Sequence, residues 1–270
     1  MISRPLLVFD FDGVIVDGIC EYWWSSRKAC LRLLGKESNA SELPEVVPEE
    51  FRKLRPWVHH GWEMVLITAE LIRPNSPLRL IREQSFSKNY QKHCEAALNA
   101  WNWEPKHLQK TLDDVRREAI CTNRKTWLAS HKAFPGVPKR LNELHNEGYD
   151  FAVLTTKSSE FTAELLDHFQ IKPTLLFGYE SGSKPNVLVQ LSKSHVLKGF
   201  IEDRLSTLKT VLNTNQLESL PCYLAGWGYL KDGESKNLPS NIQLIDIKTF
   251  LTPLASWDQS ASVRVYYRGY

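Results

Sequence analysis

The chain runs Leu6-Leu7-Val8-Phe9 straight into Asp10-Phe11-Asp12-Gly13, and the two carboxylates at that junction are the residues best placed to do chemistry. If extended geometry persists, aspartates two positions apart lean to the same side of the backbone. There they can share a hard cation through oxygen ligands, or divide the duties of nucleophile and acid/base. The apolar run before them has the composition of a strand covered on both faces. Open α/β sheets place their ligands where such strands end.

Three later stretches also place chemistry after predicted strands, two of them directly at the end of an apolar run. Val153-Leu154 leads to Thr155-Thr156-Lys157, and Gly182-Ser183-Lys184-Pro185 sets a lysine before a helix-starting proline. Gly199-Phe200-Ile201 runs into Glu202-Asp203-Arg204. Taken singly, a strand-end threonine is an ordinary turn residue or helix cap, and a lysine before a helix is an ordinary surface residue. A parallel sheet would gather all of them beside Asp10 and Asp12.

The elements that must position these residues fall into two textures. From residue 18 to 131 the pattern is helical. An amphipathic run from Glu21 to Leu34 stops at Gly35, a short helix opens at Pro48, and Pro56 breaks or restarts it. Further helical spacing covers Trp62 to Ile72, Leu78 to about Trp101, and Pro105 to Trp127, making four or five helices. After residue 131 strands alternate with helices. Strands are predicted at Phe151–Leu154, Thr174–Phe177, Gly199–Ile201, Cys222–Ala225 and Ile242–Ile245. Helices are expected at Pro138–Asn146, Ser159–Phe169, Pro185 to about His195, and Leu205–Leu212. The alternation implies a doubly wound, mainly parallel Rossmann-like sheet. Its first strand belongs to residues 1–17 and the remainder to 132–270, with an all-helical domain at 18–131 inserted between. Val263, Val265 and Tyr267 alternate like one more short strand.

Asp10-Phe11-Asp12-Gly13-Val14-Ile15-Val16-Asp17 resembles the first motif of the haloacid dehalogenase superfamily, and the likeness extends over nearly the whole chain. Thr155 maps onto the second motif, Lys184 onto the third, and Asp203 onto the fourth. A helical insert between the first and second motifs is similar to the first type of cap in that superfamily. The resemblance implies a Mg²⁺-dependent phosphatase acting on a small phosphorylated metabolite through an aspartyl-phosphate. Asp10 would be the nucleophile and Asp12 the acid/base. Thr155, the Thr156 backbone N–H and Lys184 would hold the phosphoryl group. Asp10, the Asp12 backbone carbonyl and Asp203 would hold Mg²⁺. Many members carry a second acid four or five residues after the fourth-motif aspartate, where this chain has Thr207 and Leu208. Glu202 could take part in its place, or face the other side of its strand, since adjacent strand residues point oppositely. Gly226-Trp227-Gly228-Tyr229 looks like a loop of the branch that includes phosphoglycolate phosphatases. Two other readings stay open: a phosphomutase of the β-phosphoglucomutase type, and a non-catalytic protein that binds a phosphorylated ligand.

Composition narrows the field. With 270 residues, 42% of them hydrophobic, the chain can bury one large core or two moderate ones. A net charge of +3 without a basic block argues against a nucleic-acid partner. No apolar stretch has the length of a membrane span, and the first strand begins too early for a signal peptide, so a cytoplasmic location is expected. Five cysteines without C-x-x-C spacing point to reduced, mostly buried thiols. The segment 18–131 holds 18 basic and 14 acidic residues and seven of the nine tryptophans. A mildly basic insert suits an anionic substrate, although an ordinary surface would look the same. Its tryptophans are expected mainly in helix packing, with ligand stacking as the alternative. Arg55, His59 and His60 are its candidate inward-facing polar groups.

Overall fold

The computed structural model describes residues 4–36 and 43–257. Strand β1 (Leu6–Phe9) and the two-residue β2 (Val16–Asp17) come first. They are followed by helices α1 (Ile19–Leu33), α2 (Glu49–Leu54), α3 (Gly61–Ile72), α4 (Pro77–Lys88), α5 (Tyr90–Trp101) and α6 (Pro105–Ala129). After β3 (Lys132–Ala133) the chain alternates through α7 (Val137–Glu143), β4 (Asp150–Leu154), α8 (Ser159–His168), β5 (Leu175–Phe177) and α9 (Lys184–Ser192). It ends with β6 (Leu197–Glu202), α10 (Leu205–Leu212), β7 (Cys222–Ala225), β8 (Ile242–Ile245) and α11 (Ile247–Phe250). Two compact units result: Gly18–Lys132, and the residues on either side of that insert.

In the flanking unit, six strands form one parallel sheet in the order β5-β4-β1-β6-β7-β8. All four residues of β1 are fully buried, because helices cover both faces. Leu6 and Val8 join a core with residues of α9 and α10, including Leu188 and Leu208. Phe9 packs edge-on to Phe151 at 6.1 Å and to Phe250 at 6.0 Å. Phe9 pairs with Val153 of β4 and with Ile201 of β6, so the three central strands finish level with one another. Helix α7 passes into a short 3₁₀ turn, Leu144–Glu147, that closes on Gly148 at φ +86°. A Cβ there would meet nothing within 4 Å, so only backbone strain opposes one. Gly148→Ala should therefore cost about 1 kcal/mol, to be read from the urea midpoint; an unchanged midpoint would show that the turn relaxes freely.

The helical unit is organised by α1, α3 and α6, which pack on one another. Glu21 of α1 is fully buried and accepts a fork of hydrogen bonds from Arg116 Nε and Nη2 at 2.8 and 2.9 Å, with Trp127 Nε1 as a further donor. Trp23 and Trp127 are buried in helix packing, and Trp101 stacks on Trp103 at 4.9 Å. Arg55 is buried with its guanidinium over the Tyr22 ring, whereas His59 and His60 are exposed. The single helix expected from Leu78 to Trp101 is interrupted twice, by a kink at Arg82 (φ +59°, ψ 172°) and by a break at Asn89, whose φ of −126° and ψ of 39° are not helical. Asparagine offers the backbone a competing side-chain acceptor and so favours breaks over helix interiors. Cys30, Cys94 and Cys222 are buried, Cys20 and Cys121 exposed, and all five are free thiols. No described helix is long and apolar enough to cross a membrane. The alternating segment at Val263–Tyr270 lies outside the described residues.

Candidate active site

The level ends of β1, β4 and β6 deliver the acidic and hydroxyl residues to the C-terminal end of the sheet. Asp10 follows β1 directly, and its N–H donates to Ile201 O of β6 at 2.9 Å. Beyond it the chain folds into a tight loop. Ile15 N–H and Val16 N–H donate to Phe11 O, and Gly13 N–H donates to Val16 O, while Phe11, Val14 and Ile15 are fully buried beneath. Gly13 stands at φ +92°, and a Cβ on it would lie 1.9 Å from Asp203 Oδ2. Only glycine fits that turn on both counts.

Lys184 opens α9 and sends its ammonium between two carboxylates, 2.8 Å from Asp10 Oδ1 and 2.6 Å from Glu202 Oε2. A cation is disfavoured at a helix N-terminus, and these two anions outweigh that local penalty. Glu202 Oε1 also accepts the Arg204 N–H at 3.2 Å. Asp203 lies past the end of β6, where the chain bends, so strand alternation no longer separates the two acids. Oxygens of Asp10, Glu202 and Asp203 come within 4.8 Å of one another. Glu202 therefore turns toward Asp10, an orientation that sequence spacing left open.

The electrostatics follow from burial. Desolvation, then the Glu202 charge, push the Asp10 carboxyl up to about 7 against the pull of Lys184. Burial also raises Glu202. Burial pulls Lys184 down, but the charges of Asp10 and Glu202 outweigh it and hold the ammonium above its ordinary value. Three carboxylates within 4.8 Å of one another, two of them sharing one lysine, form a hard oxygen-donor set. That donor set fits a small divalent cation such as Mg²⁺.

Thr155 follows β4 directly and is buried, with its hydroxyl accepting the Lys157 N–H at 3.1 Å. That oxygen still has a proton to donate. Thr156 follows as an exposed residue. Asp12 meets Lys157 Nζ at 3.6 Å, so each aspartate of the opening pair has its own lysine. Spacing alone did not single out Lys157, because a lysine in a strand-end turn has no pattern that separates it from surface lysines. Nor did it assign the loop after β7, where Tyr229 N–H donates to Asp203 Oδ2 at 2.8 Å. The paired glycines of Gly226-Trp227-Gly228 were its available signal of close backbone approach.

Residues 5–186 match the family model for haloacid dehalogenase-like hydrolases. No curated protein matches the sequence at significance. Among solved structures the fold is similar to a predicted phosphatase from Clostridium acetobutylicum, with 18% identity and a TM-score of 0.53 over 92% of this chain and 97% of that one. It is also similar to a predicted phosphoglycolate phosphatase from Haemophilus somnus 129pt, with 17% identity and a TM-score of 0.52 over 85% of this chain and 88% of that one.

Proposed function

Because the chain belongs to the haloacid dehalogenase-like hydrolases, we propose that it hydrolyses a small phosphomonoester through an aspartyl-phosphate intermediate. The observation that carries this reading is Asp10 at the C-terminal end of central strand β1, 2.8 Å from the Lys184 ammonium and within the 4.8 Å acidic cluster of Glu202 and Asp203. A carboxylate paired with an ammonium can approach an anionic phosphoryl group with less repulsion than an unpaired one.

Asp10 attacks phosphorus and the bond from phosphorus to the ester oxygen breaks. Asp12 gives its proton to that leaving oxygen. The resulting Asp12 carboxylate then takes a proton from water, whose oxygen attacks phosphorus and releases Asp10 with inorganic phosphate. The Thr155 hydroxyl and the Thr156 backbone N–H orient the phosphoryl oxygens, and Lys184 offsets their charge. Asp10, Asp203, Glu202 and the Asp12 backbone carbonyl would hold Mg²⁺, which when bound supplies further charge neutralisation at the phosphoryl group. The helical unit takes the part of a cap that selects the substrate.

The test is inorganic phosphate release from p-nitrophenyl phosphate and from a panel of sugar and hydroxy-acid phosphates, with Mg²⁺ and with EDTA. Turnover with Mg²⁺, falling by about 10²-fold or more in EDTA, is the expected result. An isomeric sugar phosphate as product would replace this reading with a phosphomutase. Thermal stabilisation by the esters without any release would replace it with a binding protein.

A further inference from the structure

The loop after β7 is stapled onto the loop after β1, with Asp203 between them. Trp227 Nε1 donates to Val14 O at 3.0 Å, and Tyr229 O–H donates to Asp17 Oδ1 at 2.6 Å. Between these two ties the Tyr229 N–H donates to Asp203 Oδ2 at 2.8 Å. The packing leaves no slack. A Cβ on Gly228 would lie 2.3 Å from Asp203 Cβ and 2.6 Å from Gly13 O, and one on Gly13 would lie 2.8 Å from the Tyr229 ring.

From this geometry we infer that Tyr229 is a positioning residue for Asp203. Its phenol, anchored on Asp17, holds its own backbone N–H against the Asp203 carboxylate and thereby sets the affinity of the acidic cluster for a divalent cation. A carboxylate that accepts a fixed N–H is restrained about its Cβ–Cγ bond, so its remaining lone pairs favour one direction. Groups that orient ligands in this way typically change cation affinity about 10- to 100-fold when removed. The phenol bond to a charged acceptor is of the short, strong kind, and it ends on Asp17, the last residue before the helical unit. The inference rests on the reading of the acidic cluster as a cation site.

The test uses the full chain, with Mn²⁺ as the probe. Free Mn²⁺ is followed by electron paramagnetic resonance without substrate, for wild type, Tyr229→Phe, Asp17→Ala and the double variant. Both single variants should bind Mn²⁺ about tenfold more weakly, whatever the cation-free melting temperature loses with the bond itself. The double variant should be no weaker than either single one, because both remove the same tie. Unchanged affinity in the single variants overturns the inference, as does full additivity in the double. A fall in melting temperature with affinity preserved also overturns it, because that is the signature of a merely structural contact. A wild type that binds no Mn²⁺ brings down the cation-site reading itself, which separates the two failures.

Discussion

Asp10→Asn should reduce phosphate release by at least about 10³-fold at saturating Mg²⁺ while leaving the protein folded. The two side chains have nearly the same shape, so the buried position at the end of β1 is filled equally well. What disappears is the nucleophilic oxygen, and an amide cannot form the acyl phosphate. Burial and the Glu202 charge hold the Asp10 carboxyl up at about 7, so the fold already resists its ionised form. Replacing it by a neutral amide removes a charge that is costly to bury, and the cation-free melting temperature should not fall. Lys184 keeps Glu202 as a partner, 2.6 Å away, in the variant. Turnover within a few-fold of wild type would eliminate Asp10 as nucleophile, and a folded, silent variant supports it.

Lys184→Met should act on both rate and stability. Its ammonium stands between Asp10 and Glu202 at 2.8 and 2.6 Å, and all three groups are buried. Removing it leaves two carboxylates facing each other with no cation between them. Breaking a buried pair in this way costs about 3 to 5 kcal/mol. Urea unfolding without divalent cations should show a loss of this order, and Mg²⁺ should recover part of it by supplying positive charge to the same carboxylates. The rate should fall by about 10² to 10³-fold even with Mg²⁺ present, the usual cost of deleting one preorganised charge at a developing oxyanion. A variant with wild-type stability in EDTA would show that Lys184 does not neutralise the cluster.

Periodicity and punctuation made much of the fold legible. Runs such as Leu6-Leu7-Val8-Phe9 and Cys222-Tyr223-Leu224-Ala225 announce strands buried on both faces, and those strands lie in a parallel sheet. Prolines at helix starts and glycines at stops mark boundaries, as at Pro105 and Gly148, because each residue restricts φ in one known way. The break at Asn89 was not legible, because the apolar spacing continues across it and only the observed backbone shows the interruption.

The candidate site divides along the same line. By itself the sequence placed acids and a hydroxyl at strand ends and a lysine at a helix start, because such ends are local features. It could not say which way Glu202 points, which lysine meets which aspartate, or what holds Asp203. Those answers depend on the level ends of β1, β4 and β6, on the bend after Glu202, and on glycines that let two loops meet around one carboxylate. Side-chain partners more than a hundred residues apart, such as Tyr229 and Asp17, leave no trace in spacing. Only the tertiary structure, by closing the chain on itself, decides them.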